Sequence, residues 1–311
     1  MKKIITVLLF PFWFASCTAQ NDNAETKREL AEIVEKYYNN HDFMGSVLVA
    51  QNGNILLSEG YGFADIETKT ENTPNTCFYL ASVSKLFTVA CIAELKNRGL
   101  LNYNSTLSAF IPDYPNGDKI TIEHLIQHKS GIVDVVNDRP YDFKTEFTSI
   151  NDLIEEFKQL PLHFQPGDHY QYCTSGYILL AYIIEKVSGM SYSDFMQTQI
   201  FAPLKMTNSY SVINTSPENQ AKGYNKVDGK FIPGAEFSMS QFVGAGNLSS
   251  TTGDLYKWYN GLYKTHKIST DYQSIHFGGI AGCTRTAFLF HANADYVIII
   301  LSNYSDALVE D

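Results

Sequence analysis

Several signatures of common catalytic chemistry are missing from this 311-residue sequence. It has no G-x-S-x-G segment and no glycine-rich phosphate loop, which sets aside the nucleophile-elbow hydrolases and the enzymes that cradle nucleotide phosphates. Its H-x3-H pair, His124 and His128, lacks the glutamate of H-E-x-x-H, since Leu125 stands there, so no metal site is expected. Basic residues are few: 23 Lys and Arg face 33 Asp and Glu, and the formal charge is −10. With no basic patch, nucleic acid is not an expected partner. Of five cysteines, Cys77, Cys91, Cys173 and Cys283 show no paired spacing and read as small buried hydrophobes. Beyond the N-terminus no apolar run is long enough to cross a membrane. There is no internal repeat and no low-complexity linker.

What is present begins with an export signal. Lys2 and Lys3 precede a short apolar stretch, Ile4 to Phe14. Two processing routes fit the residues that follow. Phe14-Ala15-Ser16-Cys17 resembles a lipobox, which would lipidate Cys17 and tether the protein to a membrane. Cys17-Thr18-Ala19 before Gln20 would instead serve as an ordinary cleavage site. Residues 1–19 are thus expected to be a signal and 20–311 one domain, placing the protein outside the cytoplasm, either periplasmic, secreted or held at the outer membrane. Hydrophobic residues at 44% and charged residues at 18% suit a globular domain with a large core.

Residues 20–24 read as a polar tether, and Glu25 to Tyr38 as an amphipathic helix. Gly45–Ala50 and Ile55–Gly60 read as strands around the hairpin signal Asn52-Gly53. Helices are expected at Ser82–Arg98, Tyr177–Val187, Tyr192–Ile200 and Asp254–Tyr263. A closing hairpin is expected at Thr284–His291 and Tyr296–Ser302, its second strand buried on both faces. Strands at both ends and helices between them imply one antiparallel sheet, from about 24–70 and 240–311, with a helical subdomain over about 76–236.

Ser82-Val83-Ser84-Lys85 follows an extended stretch and opens a strong helix. The helix dipole favours an oxyanion at Ser82, and Lys85 at i+3 shares its face. A lysine in a dry cleft can lose its proton near neutral pH and accept one from serine. Alone, S-x-x-K arises by chance about once in a chain of this length, and an N-capping serine with a solvated lysine explains it equally well.

The surroundings are more specific. Thr76-Cys77-Phe78-Tyr79-Leu80-Ala81-Ser82-Val83-Ser84-Lys85 resembles the nucleophile segment of class C β-lactamases and their relatives among the D-alanyl-D-alanine carboxypeptidases and esterases. Further segments resemble the same family in the same order. These are Ile120–Ile132 ("ITI-HLL-HTSG"), Phe164–Tyr177 ("FxPGxxFxYSNxGY"), Ile200–Met206 ("IFxPLGM"), Gly244–Thr251 ("AGGLxST") and His276-Phe277-Gly278 (H-x-G). The resemblance covers roughly residues 45 to 303. It implies an α+β, β-lactamase/transpeptidase-like fold and a serine hydrolase working through an acyl-enzyme on an amide, lactam or ester, with no metal or organic cofactor.

By the same resemblance Ser82 would be the nucleophile and Lys85 its activator. Tyr172 would be a partly ionised proton shuttle, and the amides of Ser82 and Gly279 would form the oxyanion hole. Thr174, His276 and Gly278 would contact substrate, a small molecule or a cell-wall peptide. His128 and Ser130 would shape a turn under the cleft. Three departures stand out. Thr174 replaces the Asn of Y-x-N. The stretch from Tyr263 to His276 is short. The chain stops at Asp311, soon after its last apolar strand, which would leave one sheet face exposed. An impaired member, kept as a module that binds cell-envelope peptide or protein, is the alternative these departures suggest.

Overall fold

Asn52 and Gly53 both take positive φ, 52° and 79°, the backbone of a tight turn whose twist matches the strands it joins. The turn connects β1 (Gly45–Gln51) to β2 (Asn54–Tyr61). The structure, a computed structural model, describes residues 15–138, 142, 144–213, 216–235, 237–263, 274–280, 284–291 and 295–309; for 15–23, 263, 274–277, 279 and 280 it describes the backbone alone. Residues 1–14 of the expected export signal, Cys283 and the segment 264–273 therefore lie outside the described residues.

The first helix, α1, runs over Ala15–Asn39, so residues 20–24 are helical and not the tether their polarity suggested. After β2 come the short strands β3 (Phe63–Asp65), β4 (Thr70–Glu71) and β5 (Phe78–Tyr79). The helical part follows, with α2 (Ser84–Asn97), α3 (Ile122–Ile126), α4 (Ile150–Glu155), α5 (Thr174–Ser188) and α6 (Tyr192–Met196). Then come β6 (Tyr210–Ser211), β7 (Tyr224–Val227), β8 (Lys230–Pro233), β9 (Leu248–Ser250) and α7 (Thr252–Trp258). The helices expected at Tyr192–Ile200 and Asp254–Tyr263 each begin as α-helix and end in one π-helical turn, at Gln197–Phe201 and Tyr259–Tyr263. Three strands close the chain: β10 (Ser274–Ile280), β11 (Thr284–His291) and β12 (Tyr296–Ser302).

The main sheet has the order β10-β11-β12-β1-β2, every pair antiparallel. The two ends of the sequence meet where β1 pairs with β12, from Gly45 opposite Ser302 to Gln51 opposite Tyr296. The nearly all-apolar β12 is not uniformly buried. Val297, Ile299 and Leu301 point into the main core, whereas Ile298 and Ile300 are half-buried on the other face. That outer face is covered by Leu30, Val34 and Tyr37 of α1 and by Tyr304, Ala307 and Val309, so the last residues described fold back over the sheet.

Between sheet and helices, the Phe87 ring of α2 stacks on Trp258 of α7 at 4.5 Å between centroids, and Trp258 meets Phe288 of β11 at 5.6 Å. Burying aromatic side chains of this size supplies about 2–3 kcal/mol each and locks α2 against the sheet. The N-terminus of α2 is thereby set beside the edge strand β10. Cys77, Cys91 and Cys173 are free and buried, and burial raises each thiol, Cys77 and Cys173 to about 12, which makes them inert small hydrophobes.

Candidate active site

The chain leaves β5, turns at Ala81 in the left-handed region (φ 48°), and makes one 3-10 turn over Ala81–Val83 before α2. A non-glycine residue with this backbone costs about 1–3 kcal/mol and persists only where its surroundings hold it. Here they do. Thr286 of β11 brings its Oγ1 within hydrogen-bond distance of the carbonyls of Leu80 (3.3 Å) and Gly278 (3.1 Å), joining the turn to β10. Gly278 is buried against that turn. A Cβ there would meet Thr286 Oγ1 at 2.7 Å, the Leu80 carbonyl at 2.8 Å and the Ser82 amide nitrogen at 2.9 Å, so only glycine lets the strand come this close.

Ser82 is half-buried in the middle of this turn, and Lys85, 6% exposed, follows in the first turn of α2. Lys85 Nζ lies 3.2 Å from Ser82 Oγ and 2.8 Å from the carbonyl oxygen of Ala245. It also stands over the rings of Tyr172 and Tyr177, at 4.9 and 5.5 Å from their centroids. Burial pulls the amine down to about 7, with the charge of Asp134 acting in the opposite direction. A neutral amine at this distance can accept the Ser82 proton.

Tyr172 OH is 2.6 Å from Ser82 Oγ. Burial raises this phenol, the hydrogen bond to Ser82 lowers it, and the Asp134 charge raises it further; the net direction is upward. The partly ionised tyrosine expected from the resemblance is therefore corrected. Burial disfavours the phenolate, and a neutral hydroxyl able to donate stands against Ser82. The ring stacks on His128 at 4.6 Å and 25°. His128 Nδ1 accepts from the Cys173 amide at 3.0 Å, which leaves the ring proton on Nε2. Burial, then the Lys85 charge, push this imidazole down to about 4, so it remains neutral. His124 is engaged elsewhere, its Nδ1 accepting from the Thr121 amide in a helix-capping pair.

Thr174 is the first residue of α5 and is nearly buried. Its sequence position marks it as the residue that replaces the Asn of Y-x-N. It does not cap α5: the N-cap is Cys173, without a side-chain cap, and the Thr174 amide donates to Asp134 Oδ2 at 3.1 Å. Within hydrogen-bond distance Lys85 Nζ has Ser82 and Ala245 among the described residues. His276 and Gly279 lie in β10, opposite Phe288 and Arg285 of β11. The His276 side chain lies outside the described residues, as does that of Cys17 in α1.

Ser82, Lys85, Tyr172 and Gly278 are thus brought together from three separate stretches of chain. Three participants escape a reading of the sequence: the Ala245 carbonyl, the Asp134 carboxylate and the His128 ring as a stacking partner. A backbone carbonyl carries no side-chain signature. Asp134 sits in a loop composition that reads as solvated, yet it is only 2% exposed.

An antiparallel sheet made by the two chain ends, with a helical layer that presents a Ser-x-x-Lys turn to the sheet edge, is the β-lactamase/transpeptidase fold. The family model described as Beta-lactamase matches residues 30–276, and the chain belongs to that family. It is 33% identical over 260 residues to penicillin-binding protein 4* of Bacillus subtilis, covering 78% of this chain and 57% of that protein. It is 30% identical over 228 residues to the teichoic acid D-alanine hydrolase of Staphylococcus aureus, covering 72% of this chain and 55% of the relative. The chain therefore spans a little over half the length of these relatives. The solved structure of D-amino acid amidase from Ochrobactrum anthropi, complexed with L-phenylalanine amide, superposes with a TM-score of 0.78 at 21% identity over 91% of each chain, a likeness of fold.

Proposed function

We propose that the chain is a serine hydrolase that forms an acyl-enzyme at Ser82, with a D-alanyl-type ester or amide as substrate. The observation that carries this reading is the position of Ser82 Oγ, within hydrogen-bond reach of both the buried Lys85 amine and the Tyr172 hydroxyl. In the acylation step neutral Lys85 takes the Ser82 proton as Oγ bonds to the substrate carbonyl carbon. The oxyanion is received by the amides of Ser82 and Gly279. As the bond to the leaving group breaks, Tyr172 donates its proton to that group and is reprotonated from the Lys85 ammonium. A water then attacks the acyl-enzyme and loses its proton to the same pair, which returns a proton to Ser82 Oγ as its bond to the acyl carbon breaks, releasing the carboxylic acid. His276 and Thr174 are assigned to substrate binding, and no cofactor enters the scheme.

The substrate class draws on the relatives, whose names include a teichoic acid D-alanine hydrolase and a D-amino acid amidase. An envelope location is consistent with penicillin-binding relatives and with the export signal at residues 1–19, Cys17 being the site of a lipid anchor if it is not cleaved away. Residues 20–311 are taken as the hydrolase domain.

The test is intact-mass labelling with a fluorophosphonate, alongside Ser82→Ala. One adduct on the wild type and none on the variant is the expected result. Equal labelling of both proteins would remove Ser82 from the mechanism. No labelling of either would turn the reading to a module that binds envelope peptide without turning it over.

A further inference from the structure

The long helix α5 starts without a cap of its own, because Cys173 at its N-cap offers no side-chain acceptor. The acceptor comes from the loop after α3. Asp134 Oδ2 receives the Thr174 amide at 3.1 Å and the Asn137 side-chain amide at 2.7 Å, and Oδ1 receives the Val136 amide at 3.0 Å. Three donors converge on one buried side chain, the surroundings of an ionised carboxylate. The same loop grips the neighbouring residues. Ser175 Oγ accepts from the Val135 amide and donates to the Val133 carbonyl, and the Cys173 thiol donates to the Ile132 carbonyl. Tyr172 lies two residues before Thr174, on the stretch this grip holds.

The charge of Asp134 is felt by the groups that do the chemistry. It favours the ammonium form of Lys85, the neutral form of the Tyr172 phenol and the protonated form of His128. The groups around Lys85 and Asp134 are Tyr172 and Cys173 ahead of α5, Tyr177 within it, His128 after α3, and Asp138 in Asp134's own loop. Asp138 accepts the Asp134 amide at 2.8 Å, lies 3.7 Å from His163, and acts electrostatically on Cys173.

We propose that Asp134 is a positioning residue of the acyl-transfer site: its carboxylate anchors the segment that carries Tyr172 and holds a fixed negative charge within electrostatic reach of the Lys85 amine. The inference rests on Ser82, Lys85 and Tyr172 acting as the acylating group. Two consequences follow from the two roles. Removing the charge while keeping the shape makes the Lys85 ammonium less favourable, so the amine becomes neutral at lower pH. Moving the anchor while keeping the charge displaces the phenol and slows the chemistry at every pH.

The experiment measures the rate constant for fluorophosphonate acylation of Ser82 between pH 5 and 9, for wild type, Asp134→Asn and Asp134→Glu, together with melting temperatures. For Asp134→Asn the rise of the rate with pH should move about half a pH unit or more toward acid, with a lower plateau. For Asp134→Glu the rise should stay in place and the plateau fall about tenfold or more. A purely structural role would lower the melting temperature of both variants and leave the position of the rise unchanged in both, and that result would overturn the proposal. If Asp134→Asn does not fold, Asp134→Glu decides: a plateau equal to wild type overturns the anchoring role. Wild-type protein left unlabelled at Ser82 would defeat the hydrolase reading itself, a different outcome from a labelled protein whose profile ignores Asp134.

Discussion

Lys85 Nζ lies closer to the carbonyl oxygen of Ala245, at 2.8 Å, than to Ser82 Oγ, at 3.2 Å. The carbonyl can accept but not donate, so it holds one N–H of the amine in either protonation state and leaves the lone pair of the neutral form free for Ser82. The lysine is thus held by backbone from the loop ahead of β9 as well as by the Ser82 hydroxyl.

That geometry predicts a pH profile. The amine is pulled down to about 7 by burial, so the fraction of neutral Lys85 rises with pH through that value. The profile of kcat/KM should climb about tenfold per unit below pH 7 and level off above it. His128, already neutral down to about 4, adds no step in this window. A rise centred near pH 5 or near pH 9 would show that another group is the base.

Tyr172→Phe keeps the ring that stacks on His128 and removes the hydroxyl 2.6 Å from Ser82. The melting temperature should move by no more than a few degrees, while kcat falls by about 10²- to 10⁴-fold, the range for a lost proton-transfer group. Activity within threefold of wild type would remove Tyr172 from the proton path.

Gly278→Ala tests the close approach of β10 to the nucleophile turn. Two of the three atoms that the new Cβ would meet are backbone, the Leu80 carbonyl and the Ser82 nitrogen, so the strand itself must move. Destabilisation of about 1–3 kcal/mol is expected from overpacking of this kind. Labelling of Ser82 should slow at least tenfold, because its amide and its Oγ shift together. Unchanged labelling would mean that the strand edge does not set the geometry at Ser82.

The fourth prediction concerns substrate choice. By the family resemblance of His276-Phe277-Gly278, His276 would stand where the K-T-G form of this motif carries a lysine, a permanent cation. An imidazole is mostly neutral at and above pH 7 and anchors a carboxylate weakly there. Kinetics on p-nitrophenyl esters, a D-Ala-D-Ala peptide and benzylpenicillin should give the penicillin the lowest kcat/KM. Faster turnover of the penicillin than of every ester and peptide would refute the assignment.

Much of this was readable in the residues themselves. Asn52-Gly53 announced its hairpin because few other pairs tolerate two successive positive φ values. The strands Thr284–His291 and Tyr296–Ser302 fall where their apolar runs put them, and the order of motifs around Ser82, Tyr172 and Gly278 named the family. These are local signals, carried by turn chemistry and by residue types at short spacing. What only the tertiary structure decided is the state of the site. Whether Lys85 is a base depends on its burial, Tyr172 is held neutral by its surroundings, and Asp134 is an anchor because a helix 40 residues further on begins against it. Burial and through-space charge arise from segments far apart in sequence, so no window of the chain contains them; they exist only once the sheet edge, α2 and the start of α5 have closed around one serine.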